Sequence, residues 1–360
     1  MISRPSRVPC SPFALHAPFL LLASFTLLLL SACVSPEGSR PDMQTVDADP
    51  GPVWPLPPQE PRIQFLKSLS GHADMGIEKS WLRRTADTLF GTQEGGATML
   101  RPYSVFADGD RIYVTDPGIS ALHIFYPSGK NYSLIRKFEK ETLISPIGVA
   151  VDTSSVYLTD SVLKKVFVFD KEGKPQRVIG TPELFIRPTG IAADDDRVYV
   201  VDTYGHRVFV FAKKEGNVLF HFGKNGNGYG EFHYPTNIFV GRDGLLYITD
   251  SLNFRIQIFD REGNFLSAFG KHGDASGNFS KAKGVAIDSD GHIYVADADF
   301  DNIQIFDRDG KLLLVFGKTG RGKGEMVLPA GVFIDNMDRI YVADSYNKRI
   351  QIFQYLKAKQ

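Results

Sequence analysis

From about residue 101 onward the chain alternates short apolar runs of five or six residues with clusters of Gly, Asp, Asn and Pro. The stretch Gly291-His292-Ile293-Tyr294-Val295-Ala296-Asp297 shows the unit. Ile303-Gln304-Ile305-Phe306-Asp307 follows, then a turn at Asp309-Gly310 and a third run, Leu312 to Phe316. Tyr, Val, Ile and Phe suit a pleated, buried surface, and Asp-Gly between two such runs marks a hairpin because Gly tolerates φ > 0. The pattern predicts consecutive antiparallel strands joined by tight turns.

The same phrase occurs six times. Its marker is a Tyr followed three residues later by an Asp: Tyr113/Asp116, Tyr157/Asp160, Tyr199/Asp202, Tyr247/Asp250, Tyr294/Asp297 and Tyr341/Asp344. Successive Asp lie 42 to 48 residues apart. That period, with four strands per unit, predicts an all-β, six-bladed β-propeller. Most first strands are announced by Pro (Pro102, Pro146, Pro188, Pro235, Pro329), which needs no amide hydrogen bond there. A small residue often follows two positions on (Ser104, Gly148, Gly190, Gly331), as a crowded ring centre requires. The sixth repeat ends after three strands, near Phe353. The alternating segment Arg62 to Leu69 is expected to supply the fourth strand and close the ring, since an unpaired blade edge invites aggregation. The alternative is an independent N-terminal strand.

The first hundred residues differ. Arg4 and Arg7 precede an apolar run, Phe19 to Leu30, that is short for a membrane span and ends in Ser31-Ala32-Cys33. Residues 33–60 are rich in Pro and read as an extended tether. Glu78 to Phe90 reads as an amphipathic helix, either a plug or clasp packed on one face of the ring, or a lid or membrane-contacting helix. The expected organisation is a signal segment over 1–32, a tether over 33–60, a closing strand plus helical insertion over 61–100, and the propeller over 101–357.

Composition narrows the function classes. Lys+Arg and Asp+Glu both number 41, so no global basic field exists to attract nucleic acid. Two Cys provide neither a disulfide framework nor a thiolate zinc cluster.

Phe316-Gly317-Lys318, a Gly-rich loop, Pro329, Gly331-Val332, Ile340 to Asp344, Asn347 and Arg349 to Phe353 together resemble the NHL repeat, and the likeness extends over about 101–357. The resemblance implies a six-bladed propeller. It implies no single activity, because such proteins bind protein or RNA and a minority are lyases. Leu30-Ser31-Ala32-Cys33 resembles a bacterial lipobox. That likeness implies cleavage before Cys33 and acylation of its thiol, and Val34 after it implies an outer-membrane lipoprotein.

Candidate chemistry is sparse. The six repeated Asp end the second strands of separate blades, too far from the axis to share an ion, and are expected to accept amides of the turns they open. Propeller lyases of this type hold zinc on His at the start of inner strands. The corresponding residues here are Tyr103, Ile147, Thr189, Thr236, Lys283 and Ala330. His206 and His233 are the weak alternative for a metal, because both belong to the same face. The turns between second and third strands repeat an aromatic beside a cation, which makes Tyr204, Arg207, Phe254, Arg255, Phe300, Tyr346 and Arg349 the expected binding face. The bland reading of Arg207, Arg255 and Arg349 is pairing with the repeated Asp. The functional expectation is a non-enzymatic envelope scaffold that docks a protein or a glycan, with no cofactor and no nucleic-acid partner. The competing expectation is a metal-dependent lyase or hydrolase in the central channel.

Overall fold

The computed structural model describes residues 51–75 and 98–357. The apolar runs are the strands of six radially arranged antiparallel sheets. Blade one comprises Val105–Asp108, Arg111–Asp116, Ala121–Tyr126 and Asn131–Ile135. Blade two runs through Pro146–Val151, Ser155–Asp160, Lys165–Asp170 and Pro175–Ile179. Blade three starts at Pro188–Ala193, blade four at Pro235–Val240, blade five at Ala282–Ile287 and blade six at Pro329–Ile334. The expected all-β, six-bladed propeller is the observed fold.

The N-terminal strand closes the ring. Ile63–Leu69 pairs antiparallel with Arg349–Tyr355, Ile63 opposite Tyr355 and Leu69 opposite Ile350, with a bulge between Phe65 and Lys67. The last blade gains a fifth strand as well. Val53–Trp54 pairs outside Ile63–Leu69, and the Phe65 amide donates to Pro52 O at 2.9 Å. The Trp54 ring meets Phe316 at 5.8 Å and Phe353 at 5.9 Å, and it covers Gly324 in the loop leading into blade six. Val53–Trp54, within the stretch 33–60 read from sequence as a tether, is therefore a strand of blade six. The reading missed this because it weighed the Pro content and not the one large aromatic, Trp54, that a blade edge could bury. The helix expected over Glu78 to Phe90, Cys33 and the signal segment lie outside the described residues.

Among the described residues the core is divided. Buried side chains form six clusters, one at each interface between neighbouring blades. The cluster between blades six and one contains Leu69, Val105, Val114, Tyr341 and Ile350, so the closing strand also seals the last interface. Hydroxyls bind the blades near the axis. Thr203 Oγ1 donates to Pro235 O at 2.7 Å, Ser251 Oγ to Ala282 O at 3.0 Å, and Ser345 Oγ to Pro102 O at 2.5 Å, the last joining blade six to blade one. A Cβ at Gly190 would run into Thr236 and Asn237 backbone, and one at Gly331 into Tyr103 and Ser104 backbone, so inner strands touch where glycine permits it.

Both ends of the repeated phrase have a structural task. Each marker Tyr is almost wholly buried, and most send the hydroxyl to an Asp in the first hairpin of the same blade: Tyr157 to Asp152 at 2.9 Å, Tyr199 to Asp194 at 2.8 Å, Tyr247 to Asp243 at 2.8 Å. Burial and the neighbouring carboxylate push these phenols up, Tyr199 to about 12. The marker Asp is fully buried at the opposite end of the strand.

Candidate functional site

The chain reaches the two faces of the ring differently. Among the described blade elements, one face carries the hairpins that follow first and third strands. The other, the loop face, carries the long loops leading into each blade and the turns between second and third strands.

The marker Asp organises the loop face. Asp160 accepts the amides of Ile144 and Ser145 from the incoming loop at 2.8 and 3.0 Å and those of Val162 and Leu163 from its own turn at 3.1 and 3.0 Å. Asp297 does the same with Ser280 and Lys281 on one side and Asp299 and Phe300 on the other. The expectation that these carboxylates cap turns covers half of the arrangement. The other half, the loop fifteen to seventeen residues upstream, is invisible to a local reading.

Blades four, five and six add a second clamp. Gln257, Gln304 and Gln351 are fully buried at equivalent positions of third strands. Gln351 Oε1 accepts the Gly324 amide at 2.9 Å, and its Nε2 donates to Glu325 O at 2.6 Å. Gln257 makes the same pair with Gly230 and Glu231. The sequence reading did not single out these glutamines. Their signal was a polar residue between two Ile in an otherwise apolar strand, three blades running.

The expected binding-face residues divide. Arg349 Nε lies 2.8 Å from Asp344, and its remaining nitrogens donate to Arg321 O, Gly322 O and Glu325 O. Arg255 repeats this with Asp250, Asn227 O, Gly228 O and Glu231 O. Both guanidinium groups hold the Gly-rich loops in place. Arg207 lies 3.8 Å from Asp202 and covers the Phe209 ring at 4.6 Å. Phe254 is half-buried against His272 at 4.4 Å, at a left-handed position with φ 55°. Phe300 is half-buried. Tyr204 and Tyr346 occupy the same position of their turns and stand out into solvent, 47% and 62% exposed, and Val162 and Leu252 fill that position in blades two and four at 57% and 48%. The face thus presents apolar tips on separate blades.

His206 and His233 do come together. The former ends the turn of blade three and the latter belongs to the loop leading into blade four. Their rings stack at 5.8 Å, with Tyr234 4.8 Å from His206 and 5.5 Å from Tyr204. Arg187 covers the Tyr204 ring at 5.0 Å and donates to its hydroxyl at 3.2 Å. Burial and the nearby His233 hold His206 below the usual imidazole range. Both imidazoles have protein neighbours: His206 Nδ1 accepts the Tyr234 amide at 3.3 Å, and His233 Nδ1 is 3.3 Å from Asn225 Oδ1. Among the described residues no group of three His, Cys, Asp or Glu side chains is placed to hold a metal ion. Nor is any helix among them long and apolar enough to cross a membrane.

These observations define a propeller protein, and comparison with known proteins agrees. A family described as a 6-bladed beta-propeller matches residues 181–245, and the NHL repeat matches 279–306 and 327–353. The chain is a six-bladed β-propeller protein carrying NHL repeats. No curated protein matches it. Among solved structures it is similar to virginiamycin B lyase from Staphylococcus aureus, with 14% identity over 71% of this chain and 96% of that one and a TM-score of 0.52. It is also similar to an auxiliary nutrient binding protein from Bacteroides thetaiotaomicron, with 12% identity over 72% and 70% and a TM-score of 0.56. A protein of unknown function from the same organism gives 15%, 72% and 70%, and 0.57. At such identities the likeness is one of fold.

Proposed function

We propose that this protein is a lipid-anchored component of the bacterial cell envelope whose propeller acts as a non-enzymatic scaffold, docking an envelope protein or a glycan on the loop face. The observation that carries this reading is the set of exposed tips, Tyr204 and Tyr346 with Val162 and Leu252, raised on a rigid base of buried Asp, Gln and Arg clamps. Large side chains at fixed positions on immobile turns lose little entropy on contact, and loops on a rigid frame are where binding usually resides. The lipobox-like Leu30 to Cys33 supports the anchoring.

The test is recovery of partners from detergent-solubilised envelope. Tyr204→Ala combined with Tyr346→Ala lowers recovery and leaves the melting temperature nearly unchanged. Glu172→Ala with Glu262→Ala, on the hairpin face, changes neither. Loss of recovery in the second pair alone would place the docking surface on the wrong side. For the anchor, Cys33→Ser abolishes labelling by a fatty-acid probe, and persistent labelling refutes acylation there.

One arrangement favours the enzyme reading, namely the stacked His206 and His233. Elemental analysis separates the two. Stoichiometric zinc or iron that disappears in His206→Ala or His233→Ala would replace the scaffold reading with a metal-dependent lyase or hydrolase.

A further inference from the structure

We propose that the hairpin-side half of the central channel binds a small uncharged molecule built on one aromatic ring and carrying a hydrogen-bonding group. The first strands of the six blades surround the axis in chain order, so equivalent residues form successive levels of the channel. One level consists of Val105, Val149, Ile191, Ile238, Val285 and Val332, all buried and all lining a common cavity of about 200 Å³. The next level towards the hairpins holds Phe106, Phe239 and Phe333 in three blades and Ala150, Ala192 and Ala286 in the others. The Phe333 ring lies 4.1 Å from Phe106 and 6.1 Å from Phe239, so rings from blades one, four and six meet at this end of the cavity.

Polar groups stand at both ends. On the loop side of the valines, four blades have glycine, while blade one has Ser104 and blade four, opposite it in the ring, has Asn237. Both side chains are half-buried and line the cavity. Among the described residues no hydrogen bond engages the Ser104 hydroxyl or the Asn237 amide. At the hairpin end Asn336 is exposed, and Arg242 donates to Asp335 O at 3.1 Å and lies 3.8 Å from Asp338. Among the described residues Arg242 is the only charged side chain of the lining, and it is already paired at the rim.

This lining sets the ligand class. An ion drawn into the cavity would lose hydration and meet no unpaired charge of opposite sign. An uncharged guest loses less, and it gains the free amide and hydroxyl as partners. Asn237 offers both a donor and an acceptor, and Ser104 does the same across the axis, which suits a hydroxyl, amino or carboxamide group. An apolar cavity of about 150 Å³ accepts benzene, so this one has room for a ring with a substituent. The three phenyl rings offer that ring edge and face contacts.

The test uses the full chain in detergent and 4-fluorophenol followed by fluorine NMR. Saturable binding that unlabelled phenol displaces is expected, and displacement separates the site from uptake into micelles. Ala192→Phe, which fills the channel with the side chain that three other blades carry at that position, is expected to abolish it. Asn237→Leu keeps the volume and removes donor and acceptor. It is expected to weaken 4-fluorophenol about fivefold and to leave fluorobenzene within about twofold. 4-Fluorobenzoate, which brings a charge, is expected to bind at least about tenfold more weakly than the phenol. Absence of saturable, displaceable binding to wild type overturns the proposal, as does unchanged phenol affinity in a folded Ala192→Phe or a folded Asn237→Leu. Benzoate binding as tight as that of the phenol overturns it too. Tyr204→Ala with Tyr346→Ala leaves phenol binding intact, so failure of the loop-face docking reading and failure of this site are separable.

Discussion

Single residues in this propeller hold loops more than they hold strands. Gln351 shows the energetics, because both ends of its amide are bonded and neither reaches water. Gln351→Leu keeps the volume and strands the buried Gly324 amide, while the Glu325 carbonyl keeps its bond from Arg349. An unsatisfied buried group costs about 1–3 kcal/mol, so a loss of about 2 kcal/mol is expected, read as a lower urea midpoint with unchanged m. Blade one contains a variation on the same theme. His123 stands at the glutamine position, fully buried, with Nε2 3.5 Å from Asp116 and Nδ1 2.9 Å from the Tyr132 hydroxyl. Another histidine couples the fold to pH. His292 Nδ1 lies 2.8 Å from Asp288, and that hydrogen bond raises the imidazole above its ordinary range against the opposing effect of burial, with Asp290 and Asp307 adding to the rise. The folded state therefore binds the proton more tightly than the unfolded chain. The resulting stability is fully present below about pH 6.5, the ordinary imidazole value, and is lost as pH rises through the folded value. Urea midpoints between pH 5.5 and 8.5 should show this decline in the wild type, and His292→Gln should flatten it.

At the scale of elements, the closing strand is where stability is most exposed to change. Ile63–Leu69 completes blade six, contributes Ile63 and Phe65 to one interface and Leu69 to the next, and carries Val53–Trp54 on its outer edge. Removing residues 1–50 is expected to leave the melting temperature nearly unchanged. Removing 1–60 also deletes the outer strand and Trp54, and removing 1–69 opens the ring and leaves Arg349–Tyr355 as a bare edge. The three truncations should therefore fall in that order of stability by calorimetry, with the last prone to aggregate. Equal melting of the 1–50 and 1–60 truncations would show that the outer strand contributes nothing. Trp54→Ala, which loses two aromatic contacts at a half-buried site, is expected to cost about 2 kcal/mol.

At the scale of the whole molecule, the central channel exists only because six blades meet. Among the described residues no hydrogen bond or ion pair engages the half-buried Lys283 ammonium, and such a cation weakens the fold that holds it. Lys283→Met should raise stability by about 1 kcal/mol, read as a higher melting temperature. If the melting temperature falls instead, the ammonium has a structural partner.

The repeat count, the strand pattern, the Pro and Gly at inner strands and the missing fourth strand of the last repeat were all legible in the sequence. Each follows from the local rules of a pleated strand and a tight turn, and the family likeness rests on the same residues. Periodicity also located the loop face and placed Tyr204 and Tyr346 at turn tips. Three things were settled by tertiary structure alone. Trp54 became part of blade six because an edge in need of cover lay beside it, although its own neighbours are prolines. Arg255 and Arg349 became clamps because carbonyls more than twenty residues upstream fold back onto them. Ser345 came to donate to Pro102 O, a meeting of the last blade with the first that no spacing along the chain encodes, since it depends on the closure of six blades about one axis.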